Sequence, residues 1–141
     1  MATRSTIWTL NNDGTYDGIY CHNDGYVEHN GVILLENYRT QKQVRDLIND
    51  GSHSVLSTDH RQKLSYSEKE ASPCTGPEYK NMPANQVKFK FEEYNYFFMG
   101  DEWIFFEHTR DEDDRRATDS EDNYLYTLRS LSIEAKKLQQ A

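Results

Sequence analysis

The sequence predicts a single α+β domain in which two β-hairpins share one antiparallel sheet and helices pack on one of its faces. Two pairs of β-branched and aromatic runs flank glycine turns, one near Gly14 and one near Gly100, a pattern that is typical of hairpins. Apolar residues at helical spacing follow the first pair and recur near the C-terminus, which indicates helices. The predicted element order is therefore ββααββα.

The first hairpin is predicted over residues 5–22. Residues 5–10 read Ser-Thr-Ile-Trp-Thr-Leu, a β-branched and aromatic composition that strands prefer. The turn at residues 11–14 reads Asn-Asn-Asp-Gly and offers a glycine where a positive φ is needed. Residues 15–22 return as the second strand.

Two helices are predicted after this hairpin. The first is a short buried helix whose apolar positions recur at i, i+3 and i+6, with two neighbours that widen the apolar stripe: Val32, Leu35 and Tyr38, then Ile33 and Leu34. The second covers residues 41–49 and has three residues on its apolar face: Val44, Leu47 and Ile48. Thr40 is placed to cap its first turn, and Gly51 is placed to close its last turn.

The second hairpin is predicted beyond a long polar segment. Residues 52–86 contain all three prolines and show little periodicity, so we expect a long loop with one short strand near residues 64–66. Residues 86–98 alternate between apolar and charged side chains, as a strand with one buried face does. Residues 103–106 return as its partner after the glycine turn.

The C-terminal region is predicted to form an amphipathic helix from about Ser120 to Gln139. Its apolar positions fall at spacings of four, three, four and three residues: Tyr124, Leu128, Leu131, Ala135 and Leu138. We therefore expect a core domain over residues 1–108, an acidic linker or loop over residues 109–122, and a helix within residues 123–141 that packs on the core or on a partner. At 141 residues the chain is long enough for one such domain.

Negative charge is concentrated in one segment. The chain has a net charge of -8, and residues 101–122 hold ten acidic residues against three arginines, a net charge of -7. Contacts to nucleic-acid phosphates need a basic face, so direct nucleic-acid binding is not expected. A partner protein with a basic surface is expected instead, and a solvated loop is the alternative. The candidate partner-binding residues are Asp111, Glu112, Asp113, Asp114, Asp119, Glu121 and Asp122.

Side chains capable of chemistry crowd the junction between the first hairpin and the first helix, residues 19–38. One hypothesis is a site for a nucleotide-like ligand, in which free N–H groups at the helix N-terminus bind a phosphate and tyrosine rings form the walls. Its candidate residues are Tyr20, His22, Asp24, Tyr26 and His29. The alternative is structural, with Asp24 capping backbone amides and the tyrosine hydroxyls donating to buried carbonyls.

Cys21 and His22 invite comparison with a thiol nucleophile and its histidine base. Neighbours on a strand point to opposite faces, whereas this chemistry needs the two side chains within hydrogen-bond distance. The sequence also lacks the C-x-x-C and H-x-x-x-H spacings of zinc sites. We therefore expect no catalytic residues, no metal and no cofactor, and an enzyme ranks below both binding hypotheses.

Two stretches of the chain carry a resemblance. Residues 20–26 read Tyr-Cys-His-Asn-Asp-Gly-Tyr, and residues 31–38 read Gly-Val-Ile-Leu-Leu-Glu-Asn-Tyr. These residues resemble a family of small uncharacterised proteins encoded mostly by bacteriophages, in which Y-C-H-W-D-G-Y precedes G-x-I-L-L-x-x-Y. A tyrosine-rich strand, a glycine turn and a Trp strand extend the resemblance to about residues 2–106. Asn23 stands where the family has tryptophan, and residues 107–141 look like an addition.

The resemblance implies a phage accessory protein and brings no established activity with it. Together with the acidic segment, it predicts a phage-encoded binding protein that inhibits a host process, such as a defence system or a nucleic-acid enzyme, by occupying a basic surface. The predicted location is the host-cell cytoplasm, because no run approaches the roughly 18 apolar residues that span a membrane. Binding or sequestration of a small ligand at residues 20–38 is the alternative function.

Overall fold

The computed structural model describes residues 3–22, 25–49, 51, 53–55, 64–65, 77–100, 102–121 and 125–140. These residues have the predicted α+β class. Their eight strands are Ser5–Leu10 (β1), Tyr16–Cys21 (β2), His53–Val55 (β3), Leu64–Ser65 (β4), Tyr79–Met82 (β5), Tyr94–Phe98 (β6), Trp103–His108 (β7) and Tyr126–Ser130 (β8). Their four α-helices are Val32–Asn37 (α1), Gln41–Asn49 (α2), Ala84–Val87 (α3) and Leu131–Gln140 (α4).

All eight strands belong to one sheet. The order across it is β4-β3-β2-β1-β6-β7-β8, and β5 also pairs with β2. β3 meets β2 at Cys21, while β5 meets it at Tyr16 and Gly18, so β2 borders three other strands. The short strand expected near residues 64–66 is present as β4, whereas β3 and β5 have no counterpart in the predicted element order.

The first hairpin is confirmed. β1 and β2 pair antiparallel, with Ile7 opposite Ile19 and Trp8 opposite Gly18. Gly14 has a φ of +87° in the turn, a conformation that glycine adopts without a steric penalty. Gly18 is required for a different reason, because a Cβ atom at this position would lie 2.3 Å from the Trp8 ring.

The sheet is mixed, which corrects the prediction of a purely antiparallel sheet. β1 and β6 run parallel, with Ile7 opposite Tyr96, and β6 then pairs antiparallel with β7. The two hairpins are thus joined through a parallel pair. Side chains alternate between faces in parallel and antiparallel strands alike, so the sequence predicts which residues are buried but not the direction of the strand beside them. A parallel pair needs a long connection, and the chain between β1 and β6 provides it.

Both faces of the sheet are covered, whereas the sequence predicts helices on one face only. The first core lies between the sheet and the helices α1, α2 and α4, and its fully buried members include Ile7, Ile19, Leu34, Ile48, Tyr96 and Leu131. The second core lies on the opposite face, and its buried members are Trp8, Val87 and Phe97. Helix α3 packs on this second face because it carries Val87. Trp8 stacks on the Tyr79 ring with centroids 5.2 Å apart.

Residues 86–98 do not form the single strand that their alternation predicts. A 3₁₀ turn, Lys88–Lys90, follows α3, and β6 begins only afterwards. The Pro83 carbonyl accepts the N–H of Val87 at 3.2 Å, which closes a helical turn at the start of this segment. Val87 is buried but Phe89 is 71% exposed, so the alternating apolar residues do not share one buried face.

The helix predicted over residues 120–139 begins only at Leu131. The preceding residues form β8, which pairs antiparallel with β7 and places Leu128 opposite Phe106. Leu131 is fully buried, whereas Leu128 is 61% exposed. Pairing with the edge of β7 outweighs the helical spacing here, since tertiary context overrides local propensity. Tyr124 lies outside the described residues.

Helix α2 has the predicted ends. Thr40 Oγ1 accepts the N–H of Gln43 at 3.2 Å, and Gln43 Oε1 accepts the N–H of Thr40 at 3.1 Å. The two residues therefore cap the helix reciprocally. Gly51 has a φ of +88° and donates its N–H to the Ile48 carbonyl, as a residue that closes a helix does.

Helix α1 is confirmed and follows a single π-helical turn, Val27–Gly31. Leu34 and Tyr38 of its predicted apolar stripe are buried, whereas Leu35 is only half-buried at the margin of the first core. The start of the helix is anchored to the sheet by Asn30, whose Nδ2 donates to Ser5 Oγ at 3.1 Å.

Replacing Leu34 with alanine should lower the free energy of unfolding by about 2–5 kcal/mol, because the substitution leaves a cavity in the first core. Leu35→Ala is the matched control, since it removes the same atoms from a half-buried position and should produce a smaller loss. Urea denaturation of both variants measures the difference. An equal or larger loss for Leu35→Ala would contradict the orientation of α1.

Candidate functional site

The acidic segment connects β7 to β8 and is itself folded. At its base, Thr109 donates its N–H to the Leu125 carbonyl at 2.9 Å, and Ala117 donates to the Thr109 carbonyl at 2.7 Å. Leu125 in turn donates its N–H to the Ala117 carbonyl at 2.9 Å. These bonds tie the middle of the segment to both of its ends. We refer to residues 109–125 as the acidic hairpin.

The tip of the acidic hairpin is a tight turn organised by Asp111. Asp111 Oδ1 accepts the N–H groups of Asp113 and Arg115, both at 2.9 Å, and Asp111 donates its own N–H to the Arg115 carbonyl at 2.9 Å. Asp114 adopts a positive φ of 59°, a conformation that aspartate tolerates better than most residues. One acid of the run therefore folds the turn, and the turn then presents Glu112, Asp113 and Asp114, which are all exposed.

Arginines lie among these acids. Residues 110–116 contain four acids and three arginines, which leaves a net charge of -1. Arg116 Nη2 contacts Glu93 Oε1 at 3.5 Å, so this guanidinium lies against the sheet. Farther along, Asp119 Oδ1 accepts the N–H of Glu121 at 2.8 Å, and Asp122 lies outside the described residues. The described residues of this loop therefore carry charges of both signs rather than an unbroken run of negative charge.

The five residues predicted to form a ligand site fall into two groups. Tyr20 OH and His22 Nδ1 lie 2.8 Å apart, on the face of β2 opposite to the buried Cys21, because alternate residues of a strand share a face. Tyr26 and His29 pack edge to face with ring centroids 6.4 Å apart. Asp24 lies outside the described residues. The structure thus brings together Tyr20 with His22 and Tyr26 with His29.

The start of α1 does not have the electrostatics that a phosphate prefers. The π-helical turn before it carries Glu28 in its first turn, and the Glu28 side chain is exposed. The negative charge of this carboxylate at the start of the helix disfavours binding of an anion there. Helix α1 itself has only six residues.

A pocket of about 310 Å³ lies near the end of the sheet, between Tyr26 and Tyr94. Its other lining residues are Thr3, Glu93, Glu107, His108 and Arg110. Tyr26 is the only predicted ligand residue among the described ones that lines it. Burial raises the pKa of Tyr94, and the carboxylates of Glu107, Glu28 and Glu93 raise it further, against a smaller opposing effect of Arg110. The surroundings of the Tyr94 hydroxyl are therefore predominantly negative.

His108 is a residue that the sequence analysis missed. It is buried, and its ring packs against Tyr126 with centroids 4.5 Å apart. Burial, together with the positive charges of Arg116 and Arg110, lowers the pKa of His108 from 6.5 to about 4. The imidazole is consequently neutral at pH 7. The alternation of residues along β7 could have predicted this burial, because His108 lies on the same face of the strand as Ile104 and Phe106.

A second missed cluster joins α2 to the first hairpin. Asp17 Oδ2 contacts Arg45 Nη1 at 2.7 Å, and Asp17 Oδ1 accepts bonds from Asn11 Nδ2 at 3.0 Å and from the N–H of Asn81 at 2.8 Å. Burial alone would raise the pKa of Asp17, but these hydrogen bonds and Arg45 hold it below its usual value. A charged residue inside an apolar strand was the signal in the sequence. The cluster explains Asp17 as a structural ion pair.

Comparisons of this chain with protein-family models, with curated proteins and with solved structures found no match. The resemblance to phage-encoded proteins therefore stays a prediction. Within the described residues, no group of three or more His, Cys, Asp and Glu side chains is arranged to hold a metal ion. The helices in the described part of the chain are too short or too polar to cross a bilayer.

The burial of His108 predicts that the free energy of unfolding decreases as the pH falls. Its pKa is about 4 in the folded protein against 6.5 ordinarily, so the unfolded chain takes up a proton first as the pH falls. This contribution to stability is complete above pH 6.5 and is lost toward about pH 4, with a slope of about 1.4 kcal/mol per pH unit.

Urea unfolding at closely spaced pH values measures this slope. The variant His108→Gln should flatten it between those limits. A slope that survives in His108→Gln would show that another group causes it.

Proposed function

We propose that the protein binds a partner protein with a basic surface through the tip of the acidic hairpin. The observation that carries this proposal is the turn built on Asp111, which exposes the carboxylates of Glu112, Asp113 and Asp114 in a defined order. Because the turn fixes the backbone that carries these carboxylates, less backbone freedom is lost when they bind a partner. Their charge also steers the encounter with a basic patch.

The position of these carboxylates supports specific recognition. The tip stands on a hairpin whose base is tied by three backbone bonds through Thr109, Ala117 and Leu125, and β7 at its root is paired on both sides, with β6 and β8. Arg110, Arg115 and Arg116 in the same loop limit the net negative charge. A generic cation can still bind the exposed carboxylates, but a partner whose basic residues match them and avoid the loop's own arginines should bind more tightly.

The biological role that we propose is inhibition of a host process in the cytoplasm of a bacterial host. A phage-encoded protein that occupies a basic surface can block access to that surface, as in a defence system or a nucleic-acid enzyme. Support comes from the residue pattern at 20–38 and from the acidic hairpin. The alternative role, binding of a nucleotide-like ligand at residues 20–38, rests on the Tyr20–His22 hydrogen bond and on the Tyr26 pocket.

Neutralising the tip should weaken binding to a basic partner while leaving the fold intact. The triple variant Glu112→Gln, Asp113→Asn and Asp114→Asn removes three exposed charges and keeps Asp111, which the turn needs. Fluorescence anisotropy with labelled decalysine as a generic basic probe should show weaker binding at low salt. The difference from wild type should shrink as salt rises, since exposed charges are screened over about 8 Å at physiological ionic strength.

The matched control changes the same net charge elsewhere. The triple variant Glu36→Gln, Asp46→Asn and Glu102→Gln removes three other exposed acids and should bind the probe more nearly as the wild type does. Both variants should keep the wild-type melting temperature, because isolated exposed charges contribute little to stability. Equal weakening by both triples would mean that net charge alone acts and would overturn the assignment of the tip. Loss of function in Tyr20→Ala or His22→Ala, with the tip variant fully active, would favour the ligand-binding alternative.

A further inference from the structure

The pocket between Tyr26 and Tyr94 is built on fixed backbone. Gly25, which precedes Tyr26, donates its N–H to the Thr3 carbonyl at 2.9 Å, and its carbonyl accepts the hydroxyl of the buried Tyr96 at 2.6 Å. A Cβ atom at Gly25 would lie 2.8 Å from the Thr3 oxygen. The backbones of residues 3 and 25 therefore lie too close together for a side chain at position 25. On the other side, Tyr94 is the first residue of β6 and donates its N–H to the Arg4 carbonyl at 3.3 Å.

Each carboxylate of the pocket forms an ion pair with an arginine that does not line the pocket. Glu107 Oε1 contacts Arg129 Nη1 at 3.1 Å, and Glu93 Oε1 contacts Arg116 Nη2 at 3.5 Å. Each carboxylate has a second oxygen and room for further hydrogen bonds. The contacts orient both groups without exhausting their capacity as acceptors, and the half-buried side chains of Tyr26 and Tyr94 add aromatic walls.

We propose that this pocket binds the guanidinium group of an arginine side chain from the partner. A guanidinium is planar, stacks on aromatic rings and donates paired hydrogen bonds to carboxylates, which matches two tyrosines together with Glu93 and Glu107. Among the described residues that line the pocket, Arg110 is the only cation. The inference extends the proposed function, on which it rests for the source of the arginine.

Charge and size both fit this ligand. The two carboxylates outnumber Arg110 in the lining, each is paired with one arginine outside it, and the nearby Glu28 adds a further negative charge that acts on Tyr94. His108 contributes a neutral imidazole at pH 7, because its pKa is about 4. A volume of about 310 Å³ is at the small end of ligand pockets, which suits one side chain better than a nucleotide. The pocket shares Arg110 with the start of the acidic hairpin, so one partner surface can reach both.

The test is an NMR titration with Nα-acetyl-arginine amide, using Nα-acetyl-citrulline amide as the uncharged isostere. The arginine compound should shift the ring signals of Tyr26 and Tyr94 with a dissociation constant in roughly the millimolar range, and the citrulline compound should not. Glu107→Gln should weaken binding roughly tenfold, because it removes a charged acceptor. Arg110→Ala should strengthen binding by about twofold, because it removes a like charge at an exposed position.

The two opposite changes keep the result interpretable if one variant is unstable. Absence of shifts in the wild type, equal shifts with citrulline, or weaker binding in Arg110→Ala would each overturn the proposal. The control triple at Glu36, Asp46 and Glu102 should bind the arginine compound as the wild type does. The two experiments can fail independently. If the arginine compound binds but the tip variant binds decalysine as the wild type does, the pocket proposal is supported and the proposed function is not. If the tip binds decalysine but the arginine compound does not bind, the proposed function is supported and the pocket proposal is not.

Discussion

The parallel pairing of β1 with β6 is the contact on which the rest of the structure depends. It buries a hydrogen-bonded chain in which Trp8 Nε1 donates to Thr6 Oγ1 and Thr6 Oγ1 donates to Asn95 Oδ1, both at 2.7 Å. Asn95 also exchanges bonds with the backbone of Glu92, at 2.8 Å and 2.9 Å. Buried polar groups that are satisfied in this way specify one register, because a shifted register would leave them unpaired. The same pairing places Tyr96 beneath Gly25 and so positions the pocket.

Burial on both faces depends on side chains from both sides of the sheet. The aromatic residues of β6 point both ways: Tyr96 and Phe98 enter the first core, and Phe97 enters the second. The second core is small and made mainly of rings, which explains a chain rich in tyrosine and phenylalanine with modest aliphatic content. The acids at the tip of the acidic hairpin lie outside both cores and are exposed, so they remain hydrated.

The elements set by local chemistry were predictable from the sequence. The turn at Gly14 and the capped helix α2 depend on residues within a few positions of each other, and the structure has both. The elements set by distant contacts were not. Phe89 alternates as a strand residue does but is exposed, and Leu128 continues a helical spacing but lies in β8. Among the site residues, the exposed acids at the tip were predicted, while His108 was missed, because its burial depends on packing against Tyr126.

The segment richest in chemically capable side chains is largely used to build the fold. Cys21 is buried in the first core, Asn30 is bonded to Ser5, and Gly25 accepts the Tyr96 hydroxyl, so conspicuous residues of the motif have structural partners. The acidic hairpin and β8 lie beyond about residue 106, where the resemblance to phage-encoded proteins ends. The exposed carboxylates at the tip lie outside both cores, so they can vary without disturbing either core. In the proposed function, the residues that determine folding are therefore separate from those that would meet a partner, and the pocket lined by Tyr26 and Arg110 lies between the two sets.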